Sequence, residues 1–204
     1  MNDYYDAHAE RFFRETTDVD MATLYAPFLE VMPPGARILD AGCGSGRDSL
    51  AFMQHGYHVE AFDASPAMAA LASRHLGQNV HVRRFDEVDW VARFDGIWAC
   101  ASLLHVRWAN LPDALGRLAL ALKPGGLLYA SFKYGRGERE DRGRWFTDLD
   151  ETRADRLLVR VPVLRRKHSW ITNDRRPEKA NRQWLNLLFV RTADPAYPQS
   201  PTTQ

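Results

Sequence analysis

The chain has 204 residues, 45% hydrophobic and 26% charged, with a formal net charge of +1. That length fits one ordinary domain with a real core, and the balance excludes a disordered chain. No apolar run approaches the ~18 residues of a membrane span, Asp3, Asp6 and Glu10 interrupt the stretch where a secretory signal would run, and two cysteines predicted to be buried, Cys43 and Cys100, point to a reducing compartment, the cytoplasm, rather than to a disulfide framework.

From Asn2 to Arg14 the apolar residues Tyr4, Tyr5, Ala9, Phe12 and Phe13 recur at helical spacing, and a second helical stretch, Met21 to Met32, follows Asp20. Pro33-Pro34-Gly35 stops it before the first strand. That strand, Arg37-Ile38-Leu39-Asp40-Ala41, runs into Gly42-Cys43-Gly44-Ser45-Gly46 and then a helix over Asp48–His55. A strand, a glycine-rich turn and a helix bring backbone close to a ligand, because any Cβ would collide with the ligand or forbid the turn. The spacing is G-x-G-x-G with Arg47 where a dinucleotide loop has its third glycine, and no phosphate loop G-x-x-x-x-G-K-[ST] is present. Asp40, two residues before the first glycine, argues against a pyrophosphate and for a positively charged group beside the turn.

His58–Phe62 reads as the second strand, closed by Asp63. An acid there, about twenty residues past the glycine turn, is placed to accept hydrogen bonds from both hydroxyls of a ribose. The alternative is a capping acid, since Ser65-Pro66 opens a helix predicted over Pro66–Leu76. Met68 on that helix is either an adenine contact or a core methionine. Val80–Phe85 reads as strand three, followed by Asp86, Glu87 and Asp89, and Phe94–Cys100 as strand four, an apolar run of the kind buried on both faces of a parallel sheet. Ligands sit outside the carboxyl ends of such strands, so the segment Ala101–His105 faces the reacting group. His105 is either a general base for a nucleophile, with a pKa near working pH, or a structural histidine bonded to backbone.

Asn110–Leu122 is an amphipathic helix ended by Lys123-Pro124-Gly125-Gly126, and Leu127–Phe132 is strand five. Residues 133–148 are charged and glycine-rich, which predicts a mobile loop beside the site, with Lys133, Tyr134, Arg142 and Arg144 as candidates to grip an acidic or oxyanionic substrate. Thr147-Asp148 is the predicted cap of a helix reaching Val159. Leu164–Ile171 and Gln183–Arg191 read as an antiparallel strand pair, and 192–204, with three prolines, as a disordered tail. Between Lys133 and Arg191 stand 16 Lys and Arg against 9 Asp and Glu. This is either a solvated mixed-charge surface or a basic rim for an anionic substrate.

Leu39-Asp40-Ala41-Gly42-Cys43-Gly44-Ser45-Gly46, the strand-end acids and the Leu122-Lys123-Pro124-Gly125-Gly126 turn before strand five together resemble the class I S-adenosylmethionine-dependent methyltransferases, and in size the small stand-alone bacterial type that includes tellurite-resistance-like enzymes. The resemblance implies an α/β, Rossmann-like, seven-stranded and mostly parallel sheet with an antiparallel C-terminal strand and helices on both faces. It implies one domain over 1–191: a helical lid (1–34), a cofactor-binding core (35–132), and a substrate loop, helix and strand pair (133–191). S-adenosyl-L-methionine would then be held by Asp40, Gly42, Cys43, Gly44, Arg47, Asp63, Ala64, Met68, Ala99 and Cys100, with Asp86 or its rival Glu87 on the adenine amino group and Tyr5 from the lid. The chemistry implied is in-line displacement, with the nucleophile aligned ~3 Å from the methyl carbon and its proton removed where needed, leaving S-adenosyl-L-homocysteine.

The sequence departs from other branches of that family. Ala99-Cys100-Ala101-Ser102 stands where base-amino methylases carry Asn/Asp-Pro-Pro-aromatic, no Pro-Cys nucleophile is present, and no clustered metal set suggests a magnesium site. A small-molecule acceptor and a monomer or homodimer follow. RNA is the alternative acceptor, because Trp145, Trp170 and Trp184 interleave the basic region and aromatics stack on unpaired bases. A non-catalytic cofactor-binding subunit is a third reading.

Overall fold

The computed structural model of this protein describes residues 2–176 and 179–192. Nine strands and seven helices follow in the order α1 (Asn2–Ala7), α2 (Ala9–Thr16), α3 (Ala22–Leu29), β1 (Arg37–Ala41), α4 (Arg47–Gln54), β2 (His58–Asp63), α5 (Pro66–Leu76), β3 (His81–Val82), β4 (Phe94–Ala99), α6 (Leu111–Ala121), β5 (Leu122–Lys133), β6 (Gly137–Asp141), β7 (Arg144–Asp148), α7 (Glu151–Val159), β8 (Leu164–Asn173) and β9 (Gln183–Arg191) among the described residues.

Seven of the strands form one sheet in the order β3-β2-β1-β4-β5-β9-β8, in which β9 runs antiparallel to both its neighbours and the other pairings are parallel. This is the expected Rossmann-like architecture. Alternate residues of each strand point to opposite faces. Ile38, Trp98 and Tyr129 meet α3 and α4 on one face, through Phe28 and Phe52, while Leu39, Ile97 and Leu128 meet α6 and α7 on the other, through Leu115, Leu118 and Leu157. All of these side chains are buried, which is why the strands read as unbroken apolar runs. Trp98 and Tyr129 stack at 3.8 Å with their planes 11° apart, holding β4 against β5. The chain runs outward from β1 through β2 to β3, then returns to start β4 on the other side of β1. The carboxyl ends of β1 and β4 therefore diverge into a crevice at the switch point of the sheet.

Several elements differ from the expectations. The single N-terminal helix is two, broken at His8 (φ −123°, ψ 16°), so that α1 turns Tyr5 inward while α2 lays Phe12 and Phe13 against Met68 and Leu71. Strand three is only His81–Val82, because Glu87 accepts from the backbone N–H of Arg84 at 2.8 Å and draws Phe85–Glu87 into a 3-10 turn. The predicted mobile loop after strand five is an ordered hairpin, β6 paired with β7 from Gly137↔Asp148 to Asp141↔Arg144. Its register leaves Thr147 in a strand, donating to the Val106 carbonyl at 2.7 Å, so Thr147-Asp148 does not cap α7; Asp150 does, accepting from Arg153 N–H at 2.8 Å. Thr192 still bonds Val163, and the rest of the predicted tail lies outside the described residues. Among the described residues no helix is long and apolar enough to cross a membrane.

Candidate functional site

At the carboxyl end of β1 the chain must leave the sheet at once, and it does so through glycines with left-handed backbone. Gly42 has φ +79°, and a Cβ there would lie 2.5 Å from the Cβ of Ser102, which comes from the segment after β4. Only glycine lets the two strand ends approach this closely. Gly42 and Cys43 both donate to the Phe62 carbonyl, and Ser102 Oγ donates to the Ala41 carbonyl at 2.6 Å. These bonds tie the glycine turn to β2 on one side and β4 on the other.

A cavity of about 910 Å³ opens on this turn, lined among others by Tyr5, Phe12, Gly42, Gly44, Asp63, Ala64, Met68, Asp86, Ser102 and His105. A second, of about 150 Å³, is lined among others by Asp40, Cys43, Arg47, Asp48, Cys100, Tyr129, Ser131, Trp184 and Asn186. Phe12, Gly42, Gly44 and Ala101 belong to both walls, so the two spaces meet across the glycine turn. The larger one by itself falls in the range of small-molecule sites.

In the larger cavity, Asp63 at the end of β2 accepts from Gly44 N–H and Ser65 N–H, both at 2.9 Å. Burial pushes its carboxyl up, and the two backbone donors oppose that. Each oxygen keeps a lone pair for a further donor. Asp63 is not the cap of α5, as the alternative reading had it; the Ser65 hydroxyl is, accepting from Met68 N–H. Asp86 reaches the cavity wall, with Oδ1 accepting from Arg84 Nε at 2.9 Å and Oδ2 from the other arm of the same guanidinium. Glu87 is spent on the turn and does not line the cavity.

In the smaller cavity, Asp40 is buried and accepts from Ser49 Oγ at 2.6 Å. Burial, and then the nearby Asp48 charge, push its pKa up to about 8. Asp48 is the opposite case. Burial works to raise it, but Arg47 (2.7 and 3.0 Å), Tyr25 Oη (2.7 Å) and Trp98 Nε1 (2.8 Å) all donate to it and hold it below the ordinary carboxylate value. Arg47, expected to face a ligand, is therefore tied to Asp48, and its other arm reaches the Thr16 carbonyl. Sequence reading missed Asp48, Tyr25 and Trp98. An acid in the first turn of the helix after a glycine loop was the available signal for Asp48; nothing local marks its two aromatic partners.

His105 lies between the larger cavity and the β6–β7 hairpin. A carbonyl only accepts, so Nδ1–H donates to the Trp145 carbonyl at 2.7 Å, and Nε2 must accept from Tyr5 Oη, also at 2.7 Å. Burial lowers its pKa to about 4, Arg144 and Lys133 adding to that against the Trp145 bond. Of the two readings of His105, the contacts match the histidine bonded to backbone and not the base titrating near working pH: it is neutral there and both ring nitrogens are engaged. Burial raises the Tyr5 phenol, and the Arg144 guanidinium opposes the rise.

The remaining predicted residues divide. Ala99 is fully buried in the core rather than at a cavity wall. Arg142 sits at the hairpin tip with φ +53°, and Tyr134 is exposed and bonded to Glu151; neither lines either cavity. Lys133 and Arg144 converge on the Phe146 ring. The three tryptophans read as stacking platforms are half-buried, and each is engaged: Trp145 lies under Arg107 and bonds Glu138, Trp170 packs on Tyr129 and His168, and Trp184 bonds Asp174.

Compared with known proteins, residues 38–126 match the family described as "Methyltransferase domain". The chain is 34% identical over 160 residues to the malonyl-(acyl-carrier protein) O-methyltransferase of Enterobacter lignolyticus (strain SCF1), covering 77% of this chain and 60% of that protein. It is 38% identical over 108 residues to the ubiquinone biosynthesis O-methyltransferase of Xanthomonas campestris pv. campestris (strain B100), covering 48% of this chain and 43% of that protein. The chain thus spans about two-fifths to three-fifths of the length of the curated relatives it matches. In three dimensions it resembles the 1,6-didemethyltoxoflavin-N1-methyltransferase of Burkholderia thailandensis, solved with its substrate and S-adenosylhomocysteine, with a TM-score of 0.76 at 23% identity over 94% of this chain and 87% of that one.

Proposed function

We propose, from the match of residues 38–126 to the methyltransferase-domain family and the Rossmann-like fold around them, that the chain transfers the methyl group of S-adenosyl-L-methionine to an oxygen of a small-molecule acceptor. The observation that carries this reading is the pair of cavities joined across Gly42, Gly44 and Ala101, with the free lone pairs of Asp63 facing one and Asp40 facing the other.

The residues present fit the cofactor. Gly44, on the wall of both cavities, leaves open the space a Cβ would fill, with only Phe12 within 4 Å of it, and Asp63 is preset by two backbone donors with acceptor capacity to spare for ribose hydroxyls. Asp86 and Met68, both on the wall of the larger cavity, would hold the adenine, Asp86 by accepting from its amino group. Asp40, in the smaller cavity, is suited to a cationic group, which would favour its ionised form. S-adenosyl-L-methionine supplies an already activated methyl group, so no covalent enzyme intermediate is needed. The chain's own part is alignment and water exclusion. The lid does both: Asp6 bonds Ser65 and Ala67 at the start of α5, Tyr5 bonds His105, and Phe12 closes over both cavities. His105, neutral and held by Trp145, positions Tyr5 at the cavity wall; with its Nε2 occupied, it takes up a substrate proton only if Tyr5 moves away.

Oxygen as the accepting atom comes from the two O-methyltransferases to which the chain is similar. The test is methyl transfer from isotopically labelled cofactor to a panel of carboxylates, acyl thioesters and phenols, alongside calorimetry with S-adenosylhomocysteine. Transfer to at least one oxygen acceptor, and an affinity that falls about tenfold or more in Asp63→Ala, is the expected result. Absence of cofactor binding by the intact chain would end the proposal.

A further inference from the structure

Lys133, the last residue of β5, is half-buried, yet its ammonium makes no hydrogen bond or ion pair among the described residues. Its Nζ lies 3.5 Å from the centre of the Phe146 ring, and the guanidiniums of Arg139 and Arg144 lie 5.1 and 5.2 Å from the same centre. Arg182 adds a fourth cation near Lys133. Two acids answer them: Asp148, ion-paired with Arg139, and Asp141, acting on Lys133 at longer range. Arg144 makes no ion pair among the described residues; its guanidinium lies 4.5 Å over Tyr4, and its Nε is buried with no hydrogen-bond partner there. Burial, followed by the repulsion of Arg139, Arg182 and Arg144, lowers the Lys133 amine to about 8. Lys133 and Arg144 are half-buried and Arg139 and Arg182 exposed; like charges drawn together, with the Lys133 ammonium and the Arg144 Nε unpartnered among the described residues, favour an anion beside them.

The position of the cluster says whose anion it is. Tyr129, Ser131 and Lys133 alternate along β5 and so share one face of the sheet. Tyr129 and Ser131 line the smaller cavity, as does Trp184, which pairs with Lys133 across β9. Arg144 precedes Trp145, whose carbonyl holds His105. Lys133, Arg139 and Arg144 line neither cavity themselves; they stand at the strand ends next to residues that do, Ser131 and Trp184 of the smaller cavity and His105 of the larger.

We propose that Lys133, Arg139 and Arg144 form an oxyanion subsite that anchors a carboxylate or phosphate group of the methyl acceptor. The assignment to an acceptor rests on the methyl-transfer reading above; the anion site itself does not. An oxyanion gripped by three cations has its lone pairs committed and is a poor nucleophile. The anchored group is therefore distinct from the accepting atom, and the acceptor carries an anionic handle and a separate nucleophile.

The test is calorimetric titration of the full chain, with and without S-adenosylhomocysteine, using inorganic phosphate and acetate against sodium chloride at matched ionic strength. At least one of the two oxyanions should bind, about tenfold more weakly in Lys133→Gln and Arg144→Gln, while the S-adenosylhomocysteine affinity of Lys133→Gln, which touches no lid residue, changes by less than about twofold. Preference for phosphate or for acetate assigns the handle. Because Lys133→Gln relieves repulsion, its melting temperature in anion-free buffer should equal or exceed that of the parent. Heats indistinguishable from chloride, oxyanion binding unchanged in both variants, or a destabilised Lys133→Gln would each overturn the subsite. Oxyanion binding that persists in a chain that ignores S-adenosylhomocysteine would keep the subsite and refute the methyltransferase reading instead.

Discussion

Replacing His105 by glutamine should make the folded protein more resistant to mild acid. In the unfolded chain a histidine takes up its proton near pH 6.5, whereas His105 in the fold does so only near pH 4, because burial outweighs the Trp145 bond that favours its charged form. The stability linked to this histidine is fully present above pH 6.5 and drains away as the pH falls towards 4. At about 1.4 kcal/mol per pH unit, the gap amounts to about 3 kcal/mol. Little solvent screening applies to so buried a ring. Unfolding free energies from urea titrations at several pH values between 7 and 4 should fall more steeply for the parent than for His105→Gln, the difference between the two curves growing to about 3 kcal/mol. Comparing the curves cancels the carboxylates, among which Asp40 and Asp63, with raised values, contribute in the opposite sense. Parallel curves would refute the neutral, doubly bonded histidine and reopen its reading as a base titrating near neutrality.

Gly42→Ala should destabilise the fold by about 2–4 kcal/mol in denaturant titrations, combining left-handed backbone strain with a Cβ 2.5 Å from Ser102; a cost under about 1 kcal/mol would show that the strand ends are looser than described. Asp48→Asn leaves the buried Arg47 guanidinium without its counter-charge and should cost about 3–5 kcal/mol, far more than Tyr25→Phe, which removes one of four donors. Asp40, with a pKa of about 8, carries a proton at pH 7, so binding of the cationic cofactor should release up to about one proton, measured as a buffer-dependent binding enthalpy that Asp40→Asn abolishes.

The strand–glycine–helix unit, the acid closing β2, and the span of α5 were legible because each follows from short-range rules. Glycine spacing, a proline at the first helical position and an apolar run that ends in a carboxylate act within a few residues. The same rules misplaced the hairpin of 137–148, since glycine and charge also describe a loop. What orders that segment is Trp145, Thr147 and Phe146 meeting His105 and Val106, about forty residues away in the chain.

By itself the sequence marked the buried strands and the glycine turn, because burial on two faces and left-handed backbone leave a signature residue by residue, and its resemblance to a known family supplied the seven-stranded sheet; the strand order and its switch point came with the fold. Only the tertiary structure decided the charge states and the partners. Asp40 and Asp48, eight residues apart and both buried, go in opposite directions because one meets a serine hydroxyl and the other a guanidinium, a phenol and an indole, two of them from distant elements. Lys133 gathers its arginines the same way, through a hairpin folded back over the strand end. Proton affinity depends on the field and the solvent at one point in space, and many separated segments build that point together.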